Sequence, residues 1–462
     1  MGSEQPAAII ASPPDSIRCQ VAVVGSGPGG SVAASLLAAA GRDVLLIEEG
    51  PYIPQSSCSP YSPEEMESKC RSGGISLAFG RPKVTYVEAR CVGGGSEVNA
   101  GLYYRTPPEV LESWRRDFAV TGLEPGRLDH HFESIEKTLN VLDTIEEPGG
   151  AGDRLRLGAE QLKLKSMNSP SSFHRAPVGS SGAIEGQRAS MTRTYLPTAF
   201  RFGARLIADC RVESFRREGS RWIVRCLHAP AGVKPRQIVV EAETLFLSCG
   251  AIQTPTLLHR SGIKRNVGKS LAMHATAKVT ARFKEDVNHL AMGVPTQAID
   301  EFAPRFFFTC ASSSPGYLAL EMMQYPKHFA RLEECWSQMA VYSARISGGV
   351  GKIRTVPGFS DPLVRFKLSD EDMRDLSDAV RELCALLFAA GAEELYPSVL
   401  LGEPLRSPTD LDRIPIPLRR ALTNLMTIHL FSSCPMGENL ERCAVDSFGR
   451  VHGVDSLHVA DA

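Results

Sequence analysis

Cys19-Gln-Val-Ala-Val-Val-Gly25-Ser-Gly27-Pro-Gly29-Gly30 runs directly into Ser31-Val-Ala-Ala-Ser-Leu-Leu-Ala-Ala-Ala40. A run rich in β-branched residues ends in a glycine turn, and small and apolar residues at helical spacing follow. This is the strand–turn–helix setting that a dinucleotide fingerprint requires. Gly25 permits the tight turn, Gly27 lets the backbone approach a pyrophosphate, and Gly30 lets the helix pack close to the strand. The start of that helix presents free N–H groups and the positive end of its dipole to phosphates. A second strand, Asp43-Val-Leu-Leu-Ile47, ends in Glu48, the place for an acid that holds a ribose hydroxyl. A glycine turn alone occurs in many ordinary α/β folds. The strand, the helix and the acid together point to an adenine dinucleotide.

The 462 residues suffice for two or three domains with a large core. With 51 basic and 52 acidic residues, no positive surplus points to nucleic acid and no acidic tail stands out. The apolar runs are strand- or helix-sized and fall short of a bilayer span, so no transmembrane segment is expected. Residues 1–16 are rich in Ala, Ile and Pro and lack the basic start of a secretory signal. The 12 cysteines are scattered without a C-x-x-C pair, and Cys226, Cys249 and Cys384 sit inside apolar runs. Free buried thiols in a reducing compartment are expected, not disulfides or a metal site. The composition predicts a soluble cytoplasmic protein.

Residues 20–50 form a β-α-β start. Residues 51–85, rich in Pro, Ser and Gly, read as a surface excursion or lid. Cys91-Val-Gly-Gly-Gly-Ser-Glu-Val-Asn99-Ala-Gly is a second glycine-rich segment. Leu128, Phe132, Ile135 and Leu139 have helical spacing. From about residue 200 the pattern turns to strands at Ala204-Arg-Leu-Ile-Ala, Val212-Glu-Ser-Phe and Trp222-Ile-Val-Arg-Cys, with a hairpin turn at Arg216–Ser220. Thr244-Leu-Phe-Leu-Ser-Cys-Gly250 reads as a buried strand. Thr254-Pro255 then offers an N-cap and a first-turn proline to a helix reaching Arg260. Residues 300–365 alternate aromatic and polar positions and read as sheet. Glu371 to Ala390 predicts an amphipathic helix with Leu376, Val380, Leu383, Leu386 and Leu387 on one side. Strand–helix alternation at both ends encloses a β-rich middle. The fold class is therefore α/β: a Rossmann-like dinucleotide domain, discontinuous, interrupted by an α+β domain containing an antiparallel sheet.

Further motifs join the fingerprint. They are Gly93-Gly-Gly-Ser-Glu-Val-Asn99-Ala, Gly250-Ala-Ile-Gln-Thr-Pro255-Thr-Leu-Leu-His-Arg-Ser261-Gly-Ile, and Val267-Gly-Lys-Ser-Leu-Ala-Met-His274. Near the C-terminus stand His429-Leu-Phe-Ser-Ser-Cys434-Pro-Met-Gly437 and the stretch from Val445 through Asp461. In this order and spacing, from about residue 20 to 462, the chain resembles the glucose–methanol–choline (GMC) oxidoreductase family of FAD enzymes. Lys264 stands where the family's second signature usually has glycine. The resemblance implies an FAD-binding domain in three pieces, about 18–110, 200–280 and 425–462, with a substrate domain made from 111–199 and 281–424.

The resemblance also implies roles residue by residue. Gly25, Gly27, Gly30 and Glu48 would hold the ADP part of FAD. Gly93, Gly95, Asn99 and Ala100 would run past the flavin, Val212 would meet the adenine through its backbone, and Asp461 would lie near the ribityl–pyrophosphate end. His429 matches the active-site histidine, five residues before Cys434. Taken alone, a histidine there reads as a core or cap residue, but the chemistry supports it independently of the family. Oxidation of an alcohol to an aldehyde or ketone moves a hydride to flavin N5 while the hydroxyl proton leaves. A positioned base speeds such a step by about 10²–10⁴, and imidazole titrates near neutrality. His274 is expected to be structural, bonding loop backbone near the domain junction. His130, His131 and His452 are expected at the surface. Phe306, Phe307 and Phe308 are expected in the core in preference to lining a substrate pocket.

Two departures matter. Some members attach FAD through a histidine just before the position of Asn99; Val98 stands there, so FAD is expected to be non-covalent. The family runs on for some tens of residues past its Val-Ala-Asp-Ala strand and draws a second active-site residue from them. This sequence stops at Ala462, and a fragment is expected. The implied activity is FAD-dependent oxidation of a small-molecule alcohol, the electron acceptor being oxygen, a quinone or a carrier protein. A flavin-binding lyase or photodecarboxylase of the same fold, and a truncated inactive flavin-binding chain, are the alternatives. A plain nicotinamide-dependent dehydrogenase gives the Gly93 and Gly250 segments no role.

Overall fold

The computed structural model describes residues 5–143, 149–178, 183–290 and 292–462, with the backbone alone at 175–178 and 183–186. Two sheets organise these residues. In the first, Ser16–Val24, Val44–Ile47 and Arg205–Ile207 lie side by side and parallel, and Arg236–Leu247 flanks Ser16–Val24 on its other edge, also parallel. A parallel sheet is covered on both faces, so its strands carry continuous apolar runs. All of Val44–Ile47 and the last four residues of Ser16–Val24 are buried accordingly. Arg236–Leu247 serves two further partners. Its first part pairs antiparallel with Arg221–His228, which pairs on with Cys210–Glu218, and its end pairs parallel with Leu457–Val459. Helix Pro28–Ala39 joins the first two strands. Buried Gly30, Ala34 and Ala38, four residues apart, let it lie close to the sheet.

The second sheet has nine strands. At its centre Ala275–Arg282 pairs along its whole length with Met339–Ile346, and Phe306–Cys310 lies beyond. One face packs against the 20-residue helix Asp370–Ala389, which opens with a capping box between Ser369 and Asp372. Its Leu376, Val380, Leu383, Leu386 and Leu387 are all buried, as the sequence pattern predicts. Phe306 and Phe308 join that core, while Phe307, one residue out of phase, points to the other face.

Several expectations change. The helix Gly250–Arg260 begins one turn before Thr254, so Pro255 lies inside it and forgoes one backbone bond to the Ala251 carbonyl. The Thr254 hydroxyl accepts the Cys249 N–H at 2.9 Å and braces the first turn from within. Residues 300–365 are not continuous sheet: helices Pro315–Glu321 and Ala330–Cys335 interrupt them, the first led by a proline in its first turn. The segment 51–85 is anchored, not an excursion: helix Pro63–Lys69 buries Glu65 and Lys69. Strands Ser76–Ala78 and Val84–Tyr86, from the stretch 18–110, and Ala275–Arg282, which crosses residue 280, pair in the second sheet. Among the described residues no helix is long and apolar enough to cross a membrane.

Candidate functional site

A cavity of about 430 Å³ opens at the ends of Ser16–Val24 and Val44–Ile47, where open α/β sheets bind ligands. That volume lies in the range of small-molecule sites, about 300–1,000 Å³. Gly25, Gly27, Glu48, Gly95, Val212 and Asp461 line it, whereas Gly30, Gly93, Asn99, Ala100 and His429 stand outside its wall. Gly25 has φ +97°, and a carbon added to it would collide with the Ser248 carbonyl; one added to Gly30 would collide with the Gly25 carbonyl. At Gly27 an added carbon would meet only the Gly94 Cα, at 3.9 Å, so that face of the turn is open. The helix Pro28–Ala39 starts there without a side-chain cap. Its first N–H groups are left for an anion.

Ser26, fully buried, ties three segments together. Its backbone N–H and its hydroxyl donate to Glu48 Oε2 at 2.9 and 2.7 Å, and the hydroxyl accepts the Gly93 N–H at 3.0 Å. Gly50 N–H donates to Glu48 Oε1 at 2.9 Å. Burial outweighs these bonds and pushes the Glu48 pKa up. A carboxylate offers about four lone-pair sites. Three are occupied here, which leaves one for a ligand hydroxyl. Asp461 Oδ2 accepts the Gly250 N–H at 2.6 Å and the Thr254 hydroxyl at 2.7 Å, so this acid caps the helix Gly250–Arg260 at the cavity's edge.

The second glycine segment is held by buried charge. Arg188 forks onto Glu65 at 2.6 and 3.0 Å and donates to the carbonyls of Glu97 at 3.0 Å and Asn99 at 2.7 Å. Lys69 donates to Glu65 at 3.1 Å. The three side chains are at most 4% exposed. The Asn99 side-chain oxygen accepts the Gly101 N–H. Sequence reasoning singled out Asn99 and missed Ser26, Glu65, Lys69 and Arg188. Ser26 sits between two fingerprint glycines, a usable signal. Glu65 and Arg188 are 123 residues apart and carry none.

His429 and His274 form a pair. Met273 lies opposite Leu430 and Ala272 opposite Phe431 in a short antiparallel ladder, so the next position sets His274 against His429. Their Nδ1 atoms are 2.9 Å apart, with the rings nearly perpendicular at 87°. His274 is therefore no loop brace: its ring meets the other histidine. The edge of Phe431 packs on His274, and the His429 N–H donates to the Thr427 hydroxyl at 3.0 Å. Burial and the charge of Arg345 push the His274 pKa down to about 4. Burial, Arg345 and then His274 push that of His429 down to about 3. Both rings are neutral near pH 7. Two facing Nδ1 atoms share one hydrogen, so one ring donates and the other accepts. Of the other histidines, His130 and His131 are exposed, while His452 is half-buried and bonds the Gly437 carbonyl.

Residues 66–276 and 353–462 match the GMC oxidoreductase family, and residues 23–57 match an NAD(P)-binding Rossmann-like domain. The chain is 37% identical to an uncharacterized GMC-type oxidoreductase of Sinorhizobium fredii over 96% of this chain and 89% of that one. It is 28% identical to a long-chain-alcohol oxidase of Arabidopsis thaliana, over 98% of this chain and 66% of that one. Its fold matches that of pyridoxine 4-oxidase from Mesorbium loti with a TM-score of 0.68 at 16% identity, covering 96% of this chain and 94% of that one. The uncapped helix start, the open face of Gly27 and the acids at the strand ends fit the ADP part of FAD. The chain belongs to the GMC oxidoreductase family, and FAD is its cofactor.

Proposed function

We propose that the chain oxidises the CH–OH group of a small-molecule alcohol to an aldehyde or ketone, with His429 taking the hydroxyl proton. The His274–His429 pair is the observation that carries this reading. Bound FAD supplies a hydride acceptor, and the remaining work falls to side chains of this protein. His429 donates its Nδ1 hydrogen to His274, which leaves Nε2 bare and able to accept a proton. His274 acts as a positioning residue that fixes this tautomer. Gly25, Gly27, Gly30 and Glu48 hold the ADP part of the cofactor, Val212 meets its adenine, and Asp461 lies near its ribityl–pyrophosphate end. Gly93, Gly95, Asn99 and Ala100, pinned by Arg188, pass beside the flavin ring. The name of the Arabidopsis relative, a long-chain-alcohol oxidase, supports an alcohol donor.

Anaerobic mixing of the FAD-loaded protein with primary alcohols tests the reading. Flavin absorbance should bleach, and His429→Ala should slow the bleaching by about 10²–10⁴ while leaving the oxidised spectrum nearly unchanged. Equal rates in the two proteins would remove His429 from the chemistry.

A further inference from the structure

The second sheet carries a cation without an anion. Arg345 lies opposite Thr276 and Phe307, on the face turned away from the helix Asp370–Ala389. It is half-buried, its guanidinium sits 4.5 Å from the centroid of the Phe307 ring, and the Tyr104 hydroxyl lies nearby. Among the described residues no carboxylate pairs with it. Several other buried or half-buried cations are treated differently, while Arg260, also without an ion pair among the described residues, donates to the Ser360 carbonyl. Lys278, two residues along the same face from Thr276, meets Glu321 at 2.8 Å. Arg71, Arg188 and Arg282 each carry a glutamate. Withdrawing a guanidinium from water costs more than one aromatic face and one neutral hydroxyl return. An anion from outside would complete the balance.

Its position says which anion. Thr276, beside Arg345, donates through its hydroxyl to the His274 carbonyl, so Arg345 lies one strand away from the histidine pair. Its charge acts on both rings. Phe307 packs against Arg345 and Phe431 against His274, so each polar group has an aromatic ring beside it.

We propose that Arg345 anchors a carboxylate of the substrate, so that the protein oxidises hydroxy acids, alcohols that bear an anionic group away from the reacting carbinol. The inference rests on His429 being the base. A guanidinium matches a carboxylate through two parallel N–H bonds, which fixes direction as well as distance. With bound FAD supplying the hydride acceptor, the C–H and O–H bonds of the carbinol would give way to a C=O bond, its hydroxyl proton would go to His429 Nε2, and the carboxylate would leave unchanged. Docking the anion also offsets the charge of Arg345, which after burial is the next cause of the low imidazole pKa values.

The test pairs ω-hydroxy acids, from glycolate to 6-hydroxyhexanoate, with the unbranched primary alcohol of equal carbon number, using the FAD-loaded protein. Calorimetric titration with butyrate and hexanoate, which cannot react, gives a second readout free of turnover. The best hydroxy acid should exceed its partner alcohol in kcat/KM by roughly 10- to 100-fold. Arg345→Gln should bring that ratio near one, mainly through KM, and weaken hexanoate binding by a similar factor. Arg345→Lys, which keeps the charge without the fork, should retain part of both. Alcohols that match or outperform their hydroxy acids in the unmodified protein would overturn the proposal. So would hexanoate binding that is unchanged in Arg345→Gln. If that variant fails to load FAD, the unmodified protein and Arg345→Lys still decide. If neither substrate class reduces the flavin, the reading of His429 fails, and the carboxylate titration alone judges Arg345.

Discussion

The glycines of the first turn do different work, and single substitutions should separate them. A side chain on Gly30 would collide with the Gly25 carbonyl, so Gly30→Val should cost soluble protein. Gly27 has open space where its side chain would be. Gly27→Val should therefore fold, by circular dichroism, and purify without flavin absorbance. Full flavin occupancy would mean that the turn has no part in binding. The histidine pair carries a second expectation at this scale. The folded pKa values of His274 and His429, about 4 and about 3, lie below the ordinary 6.5. The unfolded chain thus binds more protons in this range, and stability rises with pH. The pair's contribution is complete above about pH 6.5 and is lost as pH falls through 4 and 3. Urea midpoints measured at pH 7 and at pH 4.5 should drop less in His274→Gln/His429→Gln than in the unmodified protein. An equal drop would show that the fold does not hold these rings neutral.

Among the elements, the short helix Pro63–Lys69 has the most to lose from one change. Its Glu65 is the one carboxylate shared by two buried cations, Lys69 and Arg188, among the described residues, and through Arg188 it pins the carbonyls of Glu97 and Asn99. Glu65→Gln keeps the shape and removes the charge, leaving both cations buried without an anion. Breaking a buried pair in this way costs about 3–5 kcal/mol. Denaturant unfolding should show a loss of that order; a loss under about 1 kcal/mol would mean that water reaches the cluster. Local patterns announced some elements and hid others. Asp370–Ala389 was legible because its apolar stripe is a short-range signal. The hairpin of Cys210–Glu218 with Arg221–His228 was legible for the same reason, its charged turn being local. The start of Gly250–Arg260 was not. Thr254-Pro255 is a good helix start in isolation, but Asp461 caps the helix from across the chain and moves the beginning back to Gly250. Pro315–Glu321 and Ala330–Cys335 were read as strand because aromatic residues packed between elements show no clean period.

For the whole molecule, the cofactor supplies the test. Val98 stands where some family members carry the linking histidine, so FAD should be held without a covalent bond. Acid precipitation should release the yellow colour into the supernatant; flavin that stays in the pellet would contradict this. A ligand bound only by the folded chain stabilises it by mass action, about 2.7 kcal/mol at a hundred times Kd. The thermal midpoint should therefore climb with added FAD, and should not do so in Gly27→Val. The chain's linear order by itself determined the α/β class, the dinucleotide turn and the acid that follows it, since each depends on residues within one turn or one strand of each other. It also marked His429, through a motif of neighbouring residues. Only the tertiary structure decided what His429 faces. The partner is His274, 155 positions away, brought opposite by a ladder of two residue pairs. In the same way Arg188 and Glu65 met only on folding, and Arg345 is informative because the fold half-buries it with no carboxylate paired to it among the described residues. Sequence pattern records which residues share an element. Long-range strand register and desolvation decide which charges and rings meet, and both exist only once the two sheets have packed.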